Sequence, residues 1–200
     1  MGRFLWLMNT PGAPPDFLHK LTEHRFDVVQ QYEMDRAEFG DYDGIITGMH
    51  SDQRHLASLG DRLGAYIDAG GALIFSGHVS HPFLPGLTPF RPVEQKGLES
   101  LRIHLETPHP LTEGLTSDHL TFQRTVAGFY GRGGNPPPPG ATVLASVGFD
   151  RVPVDWIERR GKGWLYVHCG NDLWAHYRRA DPEGLGHLRR VFDFFAGATV

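Results

Sequence analysis

Asp41-Tyr42-Asp43-Gly44-Ile45-Ile46-Thr47-Gly48, followed one helical segment later by Tyr66-Ile67-Asp68-Ala69-Gly70-Gly71-Ala72-Leu73-Ile74-Phe75, is the stretch that decides the fold. Each half ends in a short apolar run set off by glycine. Such runs, without polar alternation, suit strands buried on both faces. Between them Leu56, Leu59, Leu63, Tyr66 and Ile67 recur at helical spacing from about Asp52, and Gly70-Gly71 stops the helix. An apolar strand, an amphipathic helix and a second apolar strand form the unit that joins parallel neighbours in one sheet.

The same pattern extends upstream. Phe4 to Met8 is an apolar strand, ended by the turn signal Asn9-Thr10-Pro11-Gly12. Pro15 and Asp16 suit a helix start, with Phe17, Leu18 and Leu21 on its apolar side, and Phe26 to Tyr32 is a second strand. The order β-α-β-β-α-β predicts an α/β fold, a mostly parallel sheet covered on both faces. Downstream, Leu101 to Glu106 alternates and is expected as an edge or antiparallel strand. Gly131 to Gly140 holds four consecutive prolines and is an extended surface loop. Thr142 to Val147, Val152 to Trp156 and Gly163 to His168 complete the strands, and Glu183 to Phe195 is an amphipathic closing helix. No repeat or linker divides the chain, so residues 1–200 are expected to form one domain.

Composition narrows the function. The chain has 200 residues, 40% of them hydrophobic and 21% charged, with a formal net charge of −4. That balance provides no basic field for nucleic acid or an anionic membrane. The basic turn Arg159-Arg160-Gly161-Lys162-Gly163 is a hairpin between strands, not a nucleic-acid patch, and Arg178-Arg179 is expected at a solvated surface. No apolar run is long enough to span a bilayer, and the first residues lack the marks of a signal peptide. The lone cysteine, Cys169, excludes an internal disulfide and suits a reducing cytoplasm.

In an open parallel sheet, ligands bind at the carboxyl ends of the strands. That edge is expected to carry Asn9 and Thr10 after the first strand and His50, Ser51 and Asp52 after the third. Gly77, His78, Ser80 and His81 follow the fourth strand, and His168, Cys169, Asn171 and Asp172 the last. Each histidine has a plain structural reading as a loop cap. Together they form a candidate pocket, with His78 and His168 as acid/base groups and Asn9, Thr10, His50, Gly77, His81, Asn171 and Asp172 as ligand contacts. A divalent metal such as zinc, held by His50, His78 and His168, is one version of this pocket, and a metal-free site for a polar organic ligand is the other. Cys169 ends an apolar strand, where a packed thiol is the commoner outcome than a nucleophile.

Four ordered stretches resemble the trehalose-utilisation-like (ThuA-like) branch of the class I glutamine amidotransferase-like superfamily. They are Asp41 to Ile46, Leu63 to Phe75, His109-Pro110-Leu111-Thr112-Glu113-Gly114-Leu115, and Pro153-Val154-Asp155-Trp156 with Gly161-Lys162-Gly163 and Tyr166. The resemblance implies a flavodoxin-like three-layer sandwich and an association with sugar metabolism. It also implies a missing activity. An amidotransferase places its cysteine in the elbow after the strand ending at Phe75, and here that turn reads Ser76-Gly77-His78-Val79-Ser80. Thioester chemistry on glutamine cannot run through it. The family's strand-end histidine falls on Gly77, with His78 one position along. Its downstream Asp-Glu pair reads Phe122-Gln123, leaving Tyr130, and its late Gly-His reads Gly170-Asn171.

The expected partner is therefore a small polar molecule of carbohydrate type, with no nucleic acid and no membrane. A symmetric homodimer is the default assembly. Competing readings are a non-catalytic interaction domain and, more weakly, a cysteine hydrolase using Cys169.

Overall fold

A computed structural model of the protein describes residues 1–9, 22–123, 125–176 and 182–197. The helix expected from Pro15 to Leu21, the candidate contact Thr10 and the pair Arg178-Arg179 lie outside these residues. Eight strands form one sheet: β1 (Arg3–Met8), β2 (Arg25–Gln30), β3 (Gly44–Thr47), β4 (Ala72–Ser76), β5 (Ile103–Leu105), β6 (Thr142–Val147), β7 (Val152–Arg160) and β8 (Gly163–His168). Their order across the sheet is β2-β1-β3-β4-β8-β7-β6-β5. Strands β2, β1, β3, β4 and β8 are parallel, and β7, β6 and β5 continue the sheet in antiparallel pairs. The α/β, flavodoxin-like class expected from the sequence is the one observed.

Apolar continuity in the central strands has a direct cause. Alternate side chains of each strand enter opposite cores. On one face Phe4, Trp6, Ile46, Ile74 and Tyr166 pack against Leu188, Val191, Phe192 and Phe195, which come from the long helix spanning Pro182–Gly197. On the other face Leu5, Leu7, Ile45, Leu73, Phe75 and Val167 pack against Leu56 of α1 (Gln53–Ser58) and Leu63, Tyr66 and Ile67 of α2 (Gly60–Ala69). Trp6, Phe75 and Trp156 are core residues, as expected. Among the described residues, no helix is long and apolar enough to cross a membrane.

The helix expected from about Asp52 is two helices, broken at Leu59, with Asp52 capping the first by accepting the N–H groups of Arg54 and His55. The second strand stops at Gln30, short of Tyr32. Gln31 turns its amide to the backbone of Asp52, donating from Nε2 to the carbonyl at 2.7 Å and accepting the N–H at Oε1 at 2.9 Å, and the chain leaves the sheet in a 3-10 turn. Strand β7 runs to Arg160, beyond the expected Trp156, and β7 and β8 form the hairpin around Gly161.

Candidate functional site

Four strand ends build the carboxyl edge. Asn9 follows β1, Gly48-Met49-His50 follows β3, Ser76-Gly77-His78 ends β4, and His168 to Asp172 ends β8. The centre of this edge is a buried polar network. Asp155 and His168 stand opposite each other in the β7–β8 ladder, and Oδ1 of Asp155 lies 2.5 Å from Nδ1 of His168. The second oxygen, Oδ2, accepts the Tyr130 hydroxyl. The Tyr130 ring meets the imidazole edge-on at 4.7 Å. His168, Asp155 and Tyr130 are each only 1% exposed. An ionised carboxylate can only accept, so Nδ1 carries a proton and Nε2 is left for other work. Gly170 keeps that nitrogen clear, since a Cβ there would sit 2.7 Å from Nε2 and 2.0 Å from the Tyr130 carbonyl oxygen.

Around this network the other predicted residues take different places. Asp172 accepts the Met49 N–H at 2.6 Å. Burial raises its carboxyl above the usual range, against the pull of that bond and of nearby His50 and His168. His50 is exposed. His78 is exposed at its edge but lies flat on Phe90, the rings 3.7 Å apart and 9° from parallel. Desolvation, aided by the charge of His168, lowers its pKa and favours a neutral ring. Asn171 donates from Nδ2 to the Phe129 carbonyl at 3.4 Å. His81 lines a polar cavity of about 370 Å3 with Ser51, Asp52, Gln53, Arg54 and Ser80.

Two amide side chains hold the turn that carries His78. Asn135, fully buried, donates from Nδ2 to the Gly77 carbonyl at 2.8 Å and accepts the Val79 N–H at 2.9 Å. From the other side Gln53 donates to the His78 carbonyl at 2.7 Å and accepts the N–H groups of Ser80 and His81. Gly77 has φ of 129° and donates its N–H to the His168 carbonyl at 2.8 Å; a Cβ would lie 2.7 Å from the Met49 Cα. Only glycine fits that conformation and approach. The turn after β4 is thus rigid, and it ties the His78 and His168 strand ends together.

The candidate metal ligands His50, His78 and His168 are not brought together as a three-ligand group. Among the described residues no group of three His, Cys, Asp or Glu side chains is arranged to hold a metal ion. The reason is visible in the contacts: His168 spends Nδ1 on Asp155 inside the core, His78 is stacked on Phe90, and His50 stands in solvent beside Asp172. Sequence reasoning missed Asp155, Tyr130, Asn135 and Gln53 as parts of the site. A signal existed for Asp155, an acidic residue at an inward position of an apolar strand. None existed for Asn135, which lies in the proline-rich loop and reaches the site through chain folding alone.

Cys169 is fully buried, and burial followed by the charge of Asp155 pushes its thiol far above the usual range. Cys169 is expected to resist iodoacetamide in the native protein at neutral pH and to react fully once unfolded in urea. Native-state alkylation as fast as that of free cysteine would show an accessible thiolate.

The fold and this edge define the class: a flavodoxin-like α/β protein with polar side chains gathered at the carboxyl ends of its parallel strands and no cysteine in the elbow. No protein-family model and no curated protein matches the sequence. Among solved structures, the cytoplasmic protein STM3548 from Salmonella typhimurium superposes with a TM-score of 0.62 at 13% identity, covering 97% of this chain and 98% of that one. The cytoplasmic protein STM1381 from Salmonella typhimurium LT2 gives 0.56 at 12% identity, with 98% of each chain covered. The β-galactosidase from Rahnella sp. R3 gives 0.55 at 15% identity, with 96% of this chain but 31% of that one covered. At such identities the likeness is one of fold.

Proposed function

We propose that this protein is a ThuA-like member of the class I glutamine amidotransferase-like superfamily that binds a small polar ligand of carbohydrate type at the carboxyl edge of its sheet. One observation carries the proposal: the buried carboxylate of Asp155 bridges His168 Nδ1 and the Tyr130 hydroxyl. A charge held inside a core is costly unless it is paired and hydrogen-bonded. Such an arrangement orients an imidazole and leaves Nε2 for a hydrogen bond with a ligand hydroxyl. Asp172 and His50, beside it, add an acceptor and a donor of the kind that read a hydroxylated ring. His78, held neutral on Phe90, contributes a further donor or acceptor without charge. A cytoplasmic location is part of the proposal, in keeping with the lone cysteine and with the two cytoplasmic Salmonella proteins of like fold. So is a symmetric homodimer.

A second reading has one observation in its favour. The chain matches about a third of a β-galactosidase, as a module within a larger enzyme would. In that reading the edge is an interaction surface and no small ligand binds.

Calorimetric titration with a panel of neutral mono- and disaccharides separates the two. At least one class of sugar is expected to bind with a dissociation constant below about 1 mM. His168→Ala is expected to weaken that binding at least tenfold, with folding monitored by circular dichroism. A panel without a binder favours the module reading. Unchanged affinity in a folded His168→Ala protein removes His168 from the site.

A further inference from the structure

A cavity of about 530 Å3 lies where the chain leaves β5 and turns through Pro108-His109-Pro110 into the short 3-10 helix Pro110–Thr112. Strand β5 runs opposite to β6, β6 to β7, and β7 to β8, and its last residue, Leu105, stands in register with Ala145, Asp155 and His168 across the sheet. The cavity therefore lies at the β5 side of the sheet, with β7 and β6 between it and His168. Its volume is in the range of small-molecule sites. It also contains most of the motif His109 to Leu115, which the proposed function leaves without a role.

Several of its wall's hydrogen-bonding groups are used locally. Leu105, Pro108 and Pro110 make it largely apolar, and the two prolines contribute carbonyls without N–H groups. Leu111 spends its N–H on His109 Nδ1, Thr112 spends its N–H and its hydroxyl on the His109 carbonyl, and Glu106 spends its N–H on the Leu144 carbonyl. Among the described residues, the charged side chains of the wall are Glu106 and Glu113, and none is lysine or arginine. Ser146 and Arg151 both bond to Oε1 of Glu106, and neither to Oε2. Burial would raise this carboxyl, but the two bonds outweigh it and hold the group below its ordinary pKa, ionised at neutral pH. Burial lowers the pKa of His109, so its ring adds no competing charge. An apolar cavity whose charged groups are two carboxylates is complementary to a positively charged guest.

We propose that this cavity is a binding site for a small organic cation: an ammonium or guanidinium group on an apolar body about the size of one aromatic ring. The apolar body lies against Leu105 and the prolines, and the cationic head reaches Glu113 and the open oxygen of Glu106. This site is independent of the carbohydrate-type ligand proposed above.

Three probes with one apolar body separate the contributions: phenethylammonium, 2-phenylethanol and phenylacetate, titrated into the full chain and followed by amide chemical shifts. Phenethylammonium is expected to shift the amides of residues 105–113 saturably and to bind at least about threefold more tightly than the alcohol. Phenylacetate is expected not to bind. Glu113→Gln should bring the affinity for the amine down to that for the alcohol and leave the alcohol unaffected. Glu106→Gln should act the same way, and Glu113→Gln decides if loss of the Arg151 bond disturbs the fold. Binding of the amine should weaken with added salt and persist in His168→Ala, whatever becomes of sugar binding there. The proposal is overturned if the amine shifts none of these amides, if all three probes bind alike, or if Glu113→Gln leaves the preference for the amine intact.

Discussion

Asp155→Ala is expected to lower the stability of the fold by about 3–5 kcal/mol, the usual cost of removing one member of a buried, hydrogen-bonded pair. The carboxylate satisfies two groups at once, the imidazole Nδ1–H of His168 and the hydroxyl of Tyr130, both sealed from solvent. Truncation orphans both and leaves a small void between β7 and β8. Asp155→Asn is the informative companion. Its near-identical volume keeps the packing, but its amide can meet Nδ1 as a donor and turn the ring to the other tautomer. It is expected to destabilise less than alanine while removing ligand affinity as completely as His168→Ala does. Urea titration of both variants, read by tryptophan fluorescence, checks the first part. A loss below about 1 kcal/mol for Asp155→Ala would mean that water replaces the carboxylate and that the network is not sealed.

Asn135→Ala is expected to cost about 2–6 kcal/mol, because it leaves the Val79 N–H and the Gly77 carbonyl unpaired in the core at about 1–3 kcal/mol each. The main-chain carbonyl of Asn135 still accepts Trp156 Nε1 at 2.8 Å, so the loop stays anchored and the loss is confined to the turn after β4. Hydrogen exchange should then accelerate at Val79 and its neighbours while the amides of β1 and β3 keep their protection. Asn135→Asp retains an acceptor for Val79 but sets a second oxygen against the Gly77 carbonyl, so it should be no better than alanine at neutral pH. Uniform acceleration across the sheet would mean that Asn135 supports the whole fold and not this turn.

Much of the fold was legible in the sequence. The runs Gly44 to Thr47 and Ala72 to Phe75 mark strands buried on both faces, because a central parallel strand has no wet side. The absence of a cysteine from the turn after β4 is equally local, since it depends on which residues follow one strand. The errors fell where a side chain bonds out of register. Gln31 looked like the continuation of a strand, and its hydrogen bonds to Asp52, far along the chain, carry it out of the sheet.

The sequence by itself determined where most of the strands lie, which edge of the sheet gathers the histidines, and that the turn after β4 carries no cysteine. These follow from apolar spacing and from residue identity at single positions, which need no knowledge of neighbours in space. Only the tertiary structure decided what each polar side chain meets. It set His168 against Asp155 and Tyr130, laid His78 on Phe90, left His50 in solvent, and brought Asn135 from a proline-rich loop to the turn after β4. A hydropathy pattern records whether a residue is buried. The partner of a buried polar group is set by strand order, register and loop path, and these form only when the whole chain packs.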